Sequence, residues 1–149
     1  MRARFRFEKL TIWQDARALN KRIYRLSRSF PQEELYGLTS QLRRASVSIS
    51  SNIAEGSGRN SDKDFAHFLE LGYASGMEVA SLVFLALDQT YITEAETNAL
   101  LADLEKLTGG IGALNRSLQV SGSKTRFVRP AQDPPGRALG SRLSTLDNQ

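Results

Sequence analysis

An all-α fold, arranged as an antiparallel up-down four-helix bundle, follows from three observations on this chain. Apolar residues recur at alternating steps of four and three in separate segments, the repeat of a helix with one face in a core. Turn or capping residues bound each segment, and the connections are short, which sets consecutive helices antiparallel. Strand-like alternation of apolar and polar residues is absent. With 149 residues and 40% hydrophobic content, the chain suits one domain with a modest core.

The first helix is predicted over 10–28. Ile12, Ala16, Leu19, Ile23, Leu26 and Phe30 step by 4-3-4-3-4, a narrow packing seam. Phe30-Pro31 ends it, because proline pushes the preceding residue out of the α region. The second helix starts at Leu35 or Thr39 and runs to Glu55, where Gly56-Ser57-Gly58 stops it; its apolar row is Leu38, Leu42, Ala45, Ile49 and Ile53.

The third helix opens at Ser61-Asp62-Lys63-Asp64, a variant of the capping box, and runs to about Leu87. Gly72, Gly76 and Ala80 recur along it every four residues. Each glycine costs a helix about 1 kcal/mol, so a neighbouring backbone is expected to come close along this stripe. The fourth helix opens with the capping box Thr93-Glu94-Ala95-Glu96, and Leu100, Leu104, Leu107, Ile111, Leu114 and Leu118 repeat the 4-3-4-3-4 pattern. Gly109, Gly110 and Gly112 weaken its far end, which depends on tertiary packing. The chain thus divides into a basic arm at 1–9, the bundle at 10–121, and a disordered basic tail at 122–149 where the pattern dissolves into Gly, Pro, Ser and Arg.

Composition narrows the function. Without cysteine there are no disulfides, thiol catalysis or zinc–cysteine sites. The basic start has no apolar stretch of signal-peptide type, and the longest near-apolar run, 79–87, is far short of the ~20 residues of a membrane span. A cytoplasmic protein without a membrane partner is expected. The net charge of +4 is unevenly spread. Residues 1–28 hold nine Lys/Arg against two acids, 29–121 six against twelve, and 122–149 five against two. An acidic body between basic ends attracts polyanions.

Two constellations stand out. On the first helix Arg17, Lys21, Arg25 and Arg28 fall within about 80° of one another, opposite the apolar seam, over roughly 16 Å of axis. They are expected to be exposed. Arg22 and the arm residues Arg2, Arg4 and Arg6 add to the positive end. Trp13 and Tyr24 flank the stripe, each four residues before an arginine, where they either stack bases or anchor a subunit interface. On the second helix Arg44, Ser48, Asn52 and Glu55 share one face with Gln41, beside the apolar row. This polar spine either knits helices or subunits together through hydrogen bonds or presents a ligand site. Arg44 and Glu55 are about 16 Å apart along the axis and cannot pair, and Glu78 is a candidate acid for Arg43 or Arg44.

Catalysis has little support. The single histidine, His67, lies in Asp64-x-x-His67-x-x-Glu70, whereas di-metal bundle sites use two histidine motifs with carboxylates from other helices. No Ser-His-acid set, P-loop or dinucleotide fingerprint is present. The turn at 56–61 can meet an anion at the start of the third helix, but Asp62 and Asp64 already hold that positive end. No enzyme activity, metal or cofactor is expected.

The order Trp13-Gln14-x-Ala16, Phe30-Pro31, Gln41-Leu42-Arg43-Arg44-Ala45, Ser48-Ile49, Ser51-Asn52-Ile53-Ala54-Glu55-Gly56 and Gly58-Arg59 resembles the bacterial four-helix-bundle proteins encoded by intervening sequences in 23S ribosomal RNA genes. Phe65, Phe68-Leu69, Ala74-Ser75 and Glu78 are similar to that family's third helix, and the resemblance covers about residues 5–120. It implies a closed helical bundle assembled as a homopentamer. A structurally similar relative is the accessory variability protein of diversity-generating retroelements, a basic pentamer that binds nucleic acid and a reverse transcriptase. The family often has a basic residue before a Gly-Ser pair in its third helix; Tyr73-Ala74-Ser75 stands here, so no such charge carries over.

The resulting expectation is an oligomeric accessory protein whose basic first helix binds RNA or DNA, with a reverse transcriptase as a further partner. The competing expectation is an adaptor that docks an acidic protein. In either case Trp13, Gln41, Arg43, Arg44, Ser48, Asn52, Glu55 and Glu78 are read as a structural network or interface.

Overall fold

A computed structural model describes residues 2–124. Four helices form in the predicted order: α1 (Thr11–Ser27), α2 (Leu38–Ser57), α3 (Asp62–Asp88) and α4 (Glu94–Lys124). Short 3-10 turns at Arg6–Lys9 and Gln32–Glu34 precede α1 and α2. Among the described residues there is no strand. The seams converge on one core in which Leu19, Ile23, Ile49, Ile53, Leu69, Leu107 and Ile111 are almost wholly buried. α2 packs on α3, α3 on α4, and α1 on both α2 and α4, leaving α1 and α3 diagonal to each other.

The caps explain where the helices begin. The Ser61 hydroxyl accepts from Asp64 N–H at 3.1 Å, and Thr93 with Glu96 forms the reciprocal box, at 2.8 and 3.1 Å. α4 continues without a break through Gly109, Gly110 and Gly112 to Lys124, so it overruns the boundary expected at 121. The rest of the expected tail, 125–149, lies outside the described residues.

The glycines act through contact. A Cβ on Gly72 would lie 3.6 Å from Asn52 Cβ and from the Ile49 carbonyl oxygen, so α3 approaches α2 there. One on Gly76 would lie 2.8 Å from Thr108 Cγ2 on α4. α2 ends at Ser57 with Gly58 as its C-cap, within the Gly56-Ser57-Gly58 stop that the sequence predicts. The bare Cα of Gly56 makes room for Phe65 and Phe68 from α3.

The arm is not a free strap. Phe5 and Phe7 stack at 5.7 Å, and Phe7 meets Trp13 at 4.7 Å between centroids. Arg6 Nη1 donates to the Ser57 carbonyl at 3.2 Å, at the C-terminal end of α2 where a cation is favoured. α3 is long and apolar enough, by length and composition alone, to cross a membrane. The 79–87 run understates this, because Glu70, Glu78 and Asp88 interrupt a longer apolar tract. Within the bundle its inner face packs against α2 and α4.

α3 ends in a left-handed cap. Tyr91 N–H donates to the Ala86 carbonyl at 2.9 Å and Thr90 N–H to Leu87 at 2.8 Å. Thr90 carries φ 62°, a conformation that a β-branched side chain resists. Thr90→Gly is therefore expected to raise stability by about 1 kcal/mol, read as an increase in Tm of a few degrees.

The hydroxyl of Tyr91 donates to Glu34 Oε1 at 3.3 Å, while Glu34 Oε2 accepts from Leu38 N–H at 2.9 Å. Desolvation first, then the charge and hydrogen bond of Glu34 and the charge of Glu33, hold the Tyr91 pKa above its ordinary value. A raised folded-state pKa means that this contribution is intact below the unfolded tyrosine pKa of about 10 and is lost as pH rises through the folded one. Tyr91→Phe is expected to flatten the decline in stability above pH ~10, as measured by urea melts across alkaline pH.

Candidate nucleic-acid interface

The periodicity that buries Ile12, Ala16, Leu19 and Ile23 turns the opposite side of α1 outward. Arg17, Lys21, Arg25 and Arg28 are all exposed on that side, and none forms an ion pair among the described residues. Arg22 lies off the stripe and pairs with Asp103 of α4. Asp15, the acid of α1, takes Lys106 at 3.4 Å. The α1–α4 groove is thus locally neutralised, while the crest of α1 keeps its charge.

The flanking aromatics are held by the bundle. Trp13 is half-buried against Phe7, with the Arg17 guanidinium 5.6 Å from its ring centroid. Tyr24 is partly exposed and carries the Arg43 guanidinium at 4.8 Å. Arg43 Nε donates to Ser27 Oγ at 2.8 Å, tying α2 to the end of α1. Arg2, Arg4 and Arg6 are all exposed, and Arg6 in addition turns back onto α2 and α3, over Phe65.

Part of the polar spine of α2 meets α3. Ser48 and Ser75 share a hydrogen bond of 2.9 Å between hydroxyls, and Asn52 Nδ2 donates to the Ser48 carbonyl and hydroxyl at 2.8 and 3.1 Å. Gln41 Nε2 reaches Glu78 Oε1 at 3.5 Å. Glu78 therefore serves Gln41, and it makes no ion pair with Arg43 or Arg44 among the described residues. Glu55 pairs with Arg59 at 3.0 Å, one turn on and across the helix end, so it needs no partner helix. Arg44 is exposed and apart from this network. Sequence spacing located the row, but it could not separate the members that face α3 from those that face out.

His67 and Glu70, but not Asp64, line a cleft between the start of α3 and the end of α4, together with Asp62 and Leu118. No group of side chains suited to hold a metal ion occurs among the described residues.

The class defined by this architecture is a small antiparallel four-helix bundle, strongly basic along one outer helix face. A family model described as 23S rRNA-intervening sequence protein matches residues 8–113, and the chain belongs to that family. A crystal structure from Bacteroides thetaiotaomicron, of a protein with unknown function from the S23 ribosomal protein family, has the same fold. The TM-score is 0.54 at 19% identity, over 75% of this chain and 98% of that one. The search of curated proteins gives no match.

Proposed function

We propose that this protein is a non-enzymatic, homo-oligomeric accessory bundle of the cytoplasm that binds RNA or DNA through the crest of α1. The observation that carries this reading is the exposure of Arg17, Lys21, Arg25 and Arg28 on one face, where none of them forms an ion pair among the described residues. Such a row meets successive backbone phosphates, so affinity falls steeply with salt and sequence preference is low.

Self-association, as the pentamer that the resemblance implies, is supported by the outer face of α3. Tyr73, Met77 and Phe84 are 43–50% exposed and fall within about 40° of one another on one flank of that face, and Leu71 and Leu85 are 42% and 49% exposed on the other; exposed apolar residues of this size are typical of protein contacts. α3 is diagonal to α1, so assembly through α3 leaves the basic crest free. Several crests on one particle then bind a strand with avidity. The resemblance to retroelement accessory proteins adds a reverse transcriptase as the protein partner in this reading.

A second reading, an adaptor docking an acidic protein, is favoured by Trp13 and Tyr24 beside arginines, a composition found at protein interfaces. The deciding experiment is binding of a structured RNA and a duplex DNA across a salt series, with the particle mass determined alongside. Micromolar or tighter binding that weakens with salt is the expected result. An intact oligomer that binds neither at low salt overturns the nucleic-acid reading and leaves the adaptor.

A further inference from the structure

Alongside the basic crest runs a groove between α1 and α4, the most loosely packed of the neighbouring helix pairs. Ala18 on α1 and Ala95 and Ala99 on α4 each supply only a methyl there, which leaves the groove open. One hollow of about 340 Å³ is lined by Leu26, Ala95 and Ala99, with Arg22, Arg25 and Glu96 around them, and its surface is mostly apolar. A second, of about 390 Å³, adjoins it at Arg22 and Arg25 and adds Ala18, Lys21 and Asp103. Hollows of this size hold small organic groups, since ligand pockets run from roughly 300 to 1,000 Å³.

The charges of the groove are sorted. Both acids are engaged: Asp103 is paired with Arg22, and Glu96 Oε2 accepts from Thr93 N–H at 2.8 Å. Lys21 and Arg25 line the groove from its crest side, are exposed, and form no ion pair among the described residues. An apolar bed thus lies beside a cationic edge. A nucleotide joins a flat, largely apolar base to an anionic phosphate, and this pairing of surfaces meets both parts. Arg17, Lys21 and Arg25 recur every four residues, roughly 6 Å of helix axis per step, so they can meet successive phosphates of an extended strand. Unpaired bases stack on guanidinium planes as well as on aromatic rings, and the Arg22 guanidinium is held in place by Asp103. The bases of a duplex are paired and stacked inside it, so they do not reach such a groove.

We propose that the α1–α4 groove lodges unpaired bases of a single-stranded nucleic acid whose phosphates lie along the crest at Lys21 and Arg25. This names the form of the partner and rests on the nucleic-acid reading above. The crest alone holds any strand by its phosphates, and the groove adds a contact that depends on bases.

The test uses fluorescence anisotropy with the full-length protein and three probes: a thymidine oligonucleotide, an abasic strand with the same number of phosphates, and a duplex of equal length. The thymidine strand is expected to bind roughly tenfold more tightly than the abasic one. Ala18→Leu combined with Ala95→Leu fills the groove at two exposed positions with a good helix former and leaves every charge in place. The double substitution is expected to remove that advantage while leaving abasic and duplex affinity, and the salt slope, unchanged. Melting curves establish that it is folded, and the comparison of the two strands on the unaltered protein stands without it. Equal binding of the thymidine and abasic strands, or an advantage that survives the double substitution in a folded protein, overturns the groove and leaves the crest with its phosphates. Failure of all three probes to bind at low salt sinks the nucleic-acid reading and the groove with it.

Discussion

Replacing Arg17, Lys21, Arg25 and Arg28 together by glutamine is expected to lower duplex-DNA affinity by on the order of a hundred-fold or more at 0.1 M salt, with the bundle still folded. Each phosphate neutralised contributes about −0.9 to the slope of log K against log salt, so losing four contacts flattens the slope by about 3.6. The fold should survive, because all four side chains are exposed and form no ion pair among the described residues. Surface changes of this kind usually stay within about ±0.5 kcal/mol each. Fluorescence anisotropy over 50–300 mM salt, with a melting curve for each protein, is the check. An unchanged slope would place any binding elsewhere, with the adaptor reading or the basic segment 122–149 next in line.

Gly56→Ala is expected to destabilise the bundle, by more than any helix-propensity gain offsets. The added methyl would sit 2.7 Å from Phe68 Cβ and 2.8 Å from Phe65 Cδ2. Phe65 is buried and Phe68 Cβ is fixed to its own backbone, so α2 and α3 must separate locally. Overpacking of this kind costs about 1–3 kcal/mol, more than the ~1 kcal/mol that alanine gains as a better helix former. Gly109→Ala supplies the control, since its Cβ would meet nothing within 4 Å. There the propensity gain stands alone, and stability should rise by about 1 kcal/mol. Urea melts should therefore move in opposite directions for the same chemical change. A stabilised Gly56→Ala would mean that the α2–α3 contact is looser than these distances require.

The helices were legible because their signals are local and redundant. The step of four and three in Ile12–Phe30 and Leu100–Leu118 places a face, and Ser61 and Thr93 mark starts that the backbone hydrogen bonds reproduce. The stop of α2 at Gly56-Ser57-Gly58 was legible too, whereas the packing of Phe65 and Phe68 over Gly56 was not, because it depends on another helix. The end of α4, which runs to Lys124, was less legible because no breaker marks it.

The candidate site was legible only in part, for a related reason. The crest of α1 belongs to one helix and follows from 100° per residue. Arg22 pairs with Asp103, 81 residues away, and no sequence spacing encodes that partner. Arg6 reads as part of a basic arm, yet the aromatic contacts among Phe5, Phe7 and Trp13 turn it back to Ser57.

The diagonal placement of α1 and α3 also makes the two surfaces energetically separable. Changes on sites without shared partners add, so substitutions on the α3 face should leave the intrinsic affinity of a single α1 crest untouched. Any coupling between the two must pass through the number of crests that one particle presents. The chain can then be tuned along two independent axes, valency through one helix and per-site strength through the other, without either adjustment disturbing the core between them.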